Sequence, residues 1–334
     1  MTTAENIKMS APCKKAAKDA GLNPNDKRLV TGLLSVHPRQ FGFLRQDTGG
    51  KDLFVPPPAL CGALDGDYVL YFNDEDKPAI LLVIERRRKL CAGVFERKGR
   101  VCADDPKLPS PLHIINGRMR PKRGDKVLVS LAEAPYKLLK NFGPADSPGV
   151  EEQAALAVAE IEDKFPKAVI AEANKLKQPG SKDFKERLDL RDQVAIVTID
   201  PVSSRDFDDA ISVRRTSSGF DLGVHIADVS AFVKPGSPLD KEAQRRCQSV
   251  YLTSRVIPML PEKLSADLCS LREGRERLTK SVLFSFDNKG RQRSVEVCRS
   301  VIRPFKRLTY SRASEVMEGS SGEHPSVTET LRNM

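Results

Sequence analysis

Between Thr198 and Ala210 the chain reads TIDPVSSRDFDDA, which sets Asp200, Asp206, Asp208 and Asp209 within ten residues of one another. The 334-residue protein that carries them has a formal net charge of +10. Two unit charges about 4 Å apart repel by roughly 4 kcal/mol at the dielectric of a protein surface. A fold that converges four carboxylates therefore needs a cation to offset the repulsion. Oxygen-only donors select a hard ion, Mg²⁺ in first place and Mn²⁺ in second. Such a site leaves coordination positions for water and phosphate oxygens, and the basic remainder of the protein suits a phosphate chain. Two cations about 3.5 to 4 Å apart would serve an in-line displacement at phosphorus without a covalent intermediate. The residues themselves leave hydrolysis and phosphorolysis both open. An acidic surface loop is the other reading of four aspartates taken alone. A calcium EF-hand loop fits poorly, because its ligand spacing and central glycine are absent.

The elements that must position this loop follow from periodicity and punctuation. Residues 1–28 are polar and lysine-rich and read as a flexible N-terminal tail, with one short helix around Lys14 to Ala20. From Leu29, short apolar and polar alternations broken by Gly, Asp and Pro predict strands and turns, and LDGDYVLYF adds another strand. The words FGFL and KDLFVPP resemble the nucleic-acid face of cold-shock domains, five-stranded barrels whose aromatics stack bases. Phe41, Phe43 and Phe54 are the matching positions, and ordinary core packing is the alternative for each. The run Arg86 to Lys89 reads first as a solvated face and second as a phosphate contact. A second barrel is expected over about Cys91 to Ala134. VEEQAALAVAEIEDKF then carries a helical apolar rhythm, which Pro166 interrupts or restarts. His225, alone in an apolar VHIADV strand, reads as hydrogen-bonded in place rather than catalytic.

Four further words extend the aspartate motif: RLDLRD before it, then LGVHIADVSAFV, SVYLTSRVIPMLPEKLSADLCSL and RLTYSRASEVM after it. In this order and at this spacing they closely resemble the front of the catalytic domain of the ribonuclease II and ribonuclease R family, the processive 3′-to-5′ exoribonucleases. The resemblance implies a multidomain fold, mainly β and then α+β: two OB-fold (cold-shock-like) barrels followed by a partial ribonuclease II-type catalytic domain. It implies a cold-shock-like domain at 29–88, a second OB-like domain at 89–140, a helical connector at 141–186 and the catalytic domain at 187–334. Asp200, Asp206 and Asp209 match the family's magnesium-binding aspartates, and Asp208 matches the aspartate on which cleavage most strictly depends. Tyr251 matches a tyrosine that stacks near the terminal nucleotides, with a half-buried strand aromatic as its alternative. Tyr310 is a second candidate aromatic for the site, with core packing as its equal. The implied activity is metal-assisted hydrolysis of single-stranded RNA from the 3′ end to nucleoside 5′-monophosphates. The alternative is a non-catalytic single-stranded RNA-binding fragment with a vestigial metal site.

The resemblance reaches Met334 roughly halfway through that catalytic domain. A fragment, a truncated product, or a half that assembles with a second polypeptide are the three expectations this raises. Composition sets the setting: 40% hydrophobic and 30% charged residues suit a globular protein, and a pI near 9.2 suits a polyanionic partner. Seven scattered cysteines form no CxxC pair or disulfide framework. Reduced thiols in a cytoplasmic protein are the expectation, with neither a signal peptide nor a membrane span.

Overall fold

A computed structural model describes residues 10–26, 28–47, 49–73, 78–115, 117–320 and 322–333. The chain divides into two compact units, with the boundary between Glu162 and Asp163.

The first unit opens on a helix, α1 (Ala11–Asp19), rather than on a loose tail. Ser10 precedes it and Pro12 sits in its first turn, where a missing N–H costs nothing. Cys13 and Ala17, four residues apart, are its buried face. Ala17 packs with Leu29 and Leu70, flanked by Leu22, Phe72, Leu82 and Ile84. The expected flexible tail thus fails from Ser10 onward, because a stripe of small apolar residues docks the helix on the sheet. The tail's first nine residues lie outside the described residues.

Beneath α1 lie β1 (Leu29–Val36), β2 (Gly42–Gln46), β3 (Leu53–Val55), β4 (Tyr68–Phe72) and β5 (Ala79–Glu85). Their order in the sheet is β3-β2-β1-β4-β5. Leu34, Leu44, Val55, Val69, Tyr71 and Ile80 fill its core. Side chains alternate across a strand, so Phe43 and Phe54, cross-strand partners on β2 and β3, point the other way. Among the described residues β3, only three residues long, and β5 are the edges of an open sheet, so the expected barrel is not closed here.

The next five strands do close. They are β6 (Leu90–Phe95), β7 (Arg100–Ala103), β8 (Leu112–Ile115), β9 (Asp125–Ser130) and β10 (Tyr136–Pro144), in barrel order β10-β8-β7-β6-β9. β10 closes the barrel by pairing parallel to β8 and antiparallel to β9. It runs to Pro144, past the expected edge at 140. Two register shifts, at Leu138/Lys140 and Asn141/Gly143, blur the period-2 pattern that would have marked it as a strand. Helix α2 (Val150–Val158) belongs to this barrel: Val150, Ala154 and Leu156 are buried, and Glu151 meets Lys126 Nζ at 2.6 Å.

The second unit takes the other part of the expected connector. It holds α3 (Lys167–Lys175), the one-turn α4 (Ser181–Phe184), β11 (Leu188–Asp189), β12 (Val197–Asp200), β13 (Asp209–Thr216) and β14 (Gly219–Ala227). There follow α5 (Pro238–Arg246), β15 (Val250–Tyr251), β16 (Val256–Ile257), β17 (Arg277–Asp287), β18 (Gln292–Ile302), β19 (Lys306–Thr309), α6 (Tyr310–Met317) and α7 (Pro325–Arg332). Seven strands form one sheet, β11-β18-β17-β14-β13-β12-β19, and β15 and β16 form a separate hairpin. Successive residues of the entry to β12 serve opposite faces. Ile196 joins a core with Val169 and Ala173 of α3, Leu239 of α5 and Leu264 and Leu268. Val197 joins Leu308, Ala313, Val316, Val327 and Leu331 under α6 and α7. Gly219 sits at φ +156°, where a Cβ would stand 1.9 Å from the Phe286 carbonyl oxygen, so β14 can approach β17 only with glycine there.

Candidate active site

The aspartate motif is the connection between β12 and β13. β12 pairs antiparallel with β13 and parallel with β19. Asp200 ends β12 and Asp209 begins β13, so the sheet fixes both ends of the loop. Its middle is pinned through Phe207, which is buried. The Phe207 N–H donates to Ser270 Oγ at 3.1 Å, and the Phe207 carbonyl accepts from the Leu271 N–H at 2.8 Å. Ser270 Oγ in turn donates to the Arg205 carbonyl at 2.8 Å. The Asp208 carbonyl accepts from the Ala227 N–H at 2.9 Å. Backbone and hydroxyl contacts thus hold the loop without using the carboxylates of Asp206 and Asp208, which flank the buried ring in sequence.

The turn that supplies Ser270 is itself held by a fully buried arginine. Arg277 donates to the carbonyls of Ser270, Asp267 and Glu276 and to Gln178 Oε1 at 2.7 to 3.1 Å. Burial without a carboxylate partner lowers its pKa, yet every bond it makes is neutral and satisfied.

The four aspartates feel each other. The Asp200 carboxyl is pushed above the usual range first by burial and then by the charge of Asp209, against which Arg307 pulls down. Asp208 is raised by desolvation first and then by the charges of Asp206 and Asp209. Asp200 Oδ2 is buried without a hydrogen-bond partner. An orphaned carboxylate oxygen among like charges fits a hard cation, in donor type and in charge. Among the described residues, though, no three His, Cys, Asp or Glu side chains are gathered as a ready metal-binding group.

Tyr251 reaches this loop, and Tyr310 follows the strand that pairs with β12. Tyr251, on the β15–β16 hairpin, is 68% exposed, and its O–H donates to Asp206 Oδ2 at 3.1 Å. Nearby carboxylate charge and desolvation both raise its pKa, desolvation more. Tyr310, 62% exposed, is the first residue of α6 and follows Thr309, the register partner of Asp200. Neither tyrosine is a core residue. His225 is: it is fully buried, with Nε2 3.0 Å from Ser212 Oγ and Nδ1 2.7 Å from Ser281 Oγ.

The aromatic trio of the first unit forms one cluster. Phe41, Phe43 and Phe54 have ring centroids 5.6 to 5.9 Å apart. Phe43 is 40% and Phe54 52% exposed, so the rings face outward from the sheet. Sequence reasoning missed His37, which stacks on Phe41 at 4.5 Å and 11°; its place four residues ahead in HPRQF, across a turn, was the available signal. The run from Arg86 to Lys89 is less free than a solvated face. Arg86 lies 3.4 Å from the buried Asp67, and Arg88 bonds both Asp65 and Asp105. Arg87 and Lys89 alone of the four are exposed.

Comparison with known proteins now bears on these sites. The RNB domain family matches residues 187–334, and the Ribonuclease B OB domain family matches residues 32–72. Ribonuclease R of Acidithiobacillus ferrooxidans is 33% identical over 313 residues, spanning 88% of this chain and 71% of that protein. The chain belongs to the ribonuclease II/ribonuclease R family. A solved structure of Mycoplasma genitalium RNase R in complex with ribose methylated single-stranded RNA superposes with a TM-score of 0.79. It is 29% identical and covers 91% of this chain and 51% of its own. Yeast Ssd1, a pseudonuclease, shares the fold at a TM-score of 0.68 and 19% identity, over 98% of this chain and 49% of its own. The chain spans about half the length of most curated ribonuclease R relatives it matches. Among the described residues no helix is long and apolar enough to cross a membrane, and all seven cysteines are free.

Proposed function

We propose that this chain acts on single-stranded RNA as a 3′-to-5′ exoribonuclease that releases nucleoside 5′-monophosphates, with the aspartate loop as its cleavage centre. The observation that carries the reading is the meeting of Asp206, the Tyr251 hydroxyl and three further aspartates on one pinned loop. Asp200, Asp206 and Asp209 would hold Mg²⁺, or Mn²⁺ in its place. The ion would supply an activated water and charge stabilisation at phosphorus. The chain's own residues do the rest. Asp208 lies exposed on the same loop, where its carboxylate can accept a hydrogen bond from water or a sugar hydroxyl. Tyr251 presents an exposed ring to a terminal base while its O–H ties it to Asp206. The Phe41, Phe43 and Phe54 cluster offers a second stacking surface suited to unpaired bases.

Single-stranded RNA is the supported partner, and no observation supports a second polypeptide. Free thiols fit a reducing compartment, so a cytoplasmic site of action belongs to this reading. The second reading, RNA binding without cleavage, is favoured by the carboxylates not being gathered into a ready ligand set.

One assay separates the two. A 3′-extended single strand is incubated with the chain and with Asp208→Asn, each with and without Mg²⁺. Stepwise release of 5′-monophosphates by the unmodified chain alone, and only with metal, is expected. RNA retained without decay in both proteins would leave the binding reading in its place.

A further inference from the structure

On the outside of the aspartate loop lies a cleft of about 570 Å³. Three arginines reach it from three separate segments: Arg205 from the loop itself, Arg272 from the turn before β17, and Arg307 from β19. Its one acidic side chain, Glu273, is already engaged. Glu273 Oε2 accepts the Arg307 backbone N–H at 3.0 Å, and Oε1 lies 3.6 Å from Lys306 Nζ. Among the described residues no carboxylate pairs with Arg205 or Arg272. Arg205 and Arg272 therefore bring positive charge to the cleft without an ion-pair partner, while Arg307 also acts on Asp200.

Arg307 is also held rigidly. Its Nη2 donates to the carbonyls of Pro201 and Val202 at 2.6 and 3.1 Å, and its guanidinium lies 5.5 Å from the Phe207 ring centroid. Its Nε is buried and has no hydrogen-bond partner. A buried donor left unmade is costly, and here it belongs to a group that lines an open, positively charged cleft. Arg272 also borders the neighbouring cleft around Arg275, Arg277 and Arg303, which differs because Asp267 and Glu276 share it and Glu276 pairs with Arg191 and Arg303.

From this geometry we infer that the cleft formed by Arg205, Arg272 and Arg307 is a binding site for a phosphate group, separate from the aspartate carboxylates. Planar guanidinium forks match tetrahedral phosphate oxygens bidentately, and three of them from different directions suit a multiply charged oxyanion. Ser204 adds a hydroxyl at the rim. The volume exceeds what inorganic phosphate needs and leaves room for a mononucleotide or one link of a nucleic-acid backbone. Since the site is built from arginines, the inference does not depend on the hydrolytic reading.

The test is direct binding in the presence of EDTA, which removes any contribution from a metal at the aspartates. Inorganic phosphate, adenosine 5′-monophosphate and an oligoadenylate without terminal phosphates are titrated calorimetrically against the unmodified chain and against Arg205→Gln/Arg272→Gln. Arg307 is left intact because it also holds the loop carbonyls, and thermal unfolding of the double variant checks its fold. The double variant should bind at least one probe about tenfold more weakly or worse, since each charge-assisted bond lost is worth that order. A preference for the mononucleotide over the oligoadenylate places a terminal phosphate in the cleft; equal loss for both places a backbone phosphate there. Either result supports the site. Binding of all three probes that is unchanged in the double variant, or no binding by the unmodified chain, overturns it. The phosphate assay reads binding without metal and the decay assay reads metal-dependent cleavage, so a failed RNA decay assay and a failed phosphate assay remain distinct results.

Discussion

At the scale of single residues, the aspartate loop shows how neighbours change what a side chain can do. Tyr251 combines an exposed ring with a hydroxyl bound to Asp206, and the two parts can be tested apart. Tyr251→Ala should weaken binding of a single strand by about 5- to 100-fold, because a stacked base is worth roughly 1 to 3 kcal/mol. Tyr251→Phe should keep that affinity and change only the cleavage rate; fluorescence anisotropy alongside product analysis reads both. His225 is a residue whose role lies in stability. Burial between two serine hydroxyls lowers its pKa from 6.5 to about 4. The unfolded chain therefore binds the extra proton between those values, and stability rises with pH across that window. The contribution is present above pH 6.5 and lost as pH falls toward 4, by about 3 kcal/mol. Urea unfolding at pH 7 and pH 4.5 should show the loss, and His225→Gln should flatten it. The aspartates, Tyr251 and the structural histidine were legible as residue types in known motifs. Arg205, Arg272 and Arg307 were not, because they lie on three separate segments and converge only after folding.

At the scale of elements, the loop between β12 and β13 owes its shape to a turn more than sixty residues away. Ser270 Oγ accepts the Phe207 N–H and donates to the Arg205 carbonyl, and Ser270 is itself fully buried. Ser270→Ala removes both bonds at once and leaves a buried N–H unpaired, at a cost of about 1 to 3 kcal/mol. Amide exchange at Phe207 should accelerate in that variant while the centre of β17 stays protected, and RNA decay should slow. Unchanged Phe207 exchange would show that the sheet alone holds the loop. Short apolar strands bounded by turn residues, such as β1 and β2, could be read from sequence, and so could the helix restarted by Pro166 at α3. β10 escaped because its bulges break the alternation; a short helix was expected around Lys14 to Ala20, but its docking was not, because only Cys13 and Ala17 of α1 are buried.

At the scale of the whole molecule, a net charge of +10 predicts binding to single strands that weakens steeply with salt. Each neutralised phosphate contributes about −0.7 to the slope of log affinity against log salt. A slope of about −2 or steeper, measured from 50 to 300 mM KCl, is expected; a flat response would remove the polyanionic partner. Fold class and order of parts were legible because each barrel and sheet is announced by local words. The division between Glu162 and Asp163 was not, since the expected connector is one polar, helical stretch whose halves dock on different cores. The pairing of β12 with β19 has a consequence for synthesis. Val197 meets Lys306 and Asp200 meets Thr309, so the strand that presents Asp200 lacks one neighbour until more than a hundred further residues have been made. At roughly 5 to 20 residues per second, the growing chain spends several seconds on the ribosome, close to messenger RNA, with its aspartate loop still unanchored on that side. The order of the strands therefore delays the assembly of the loop until β19 has been made.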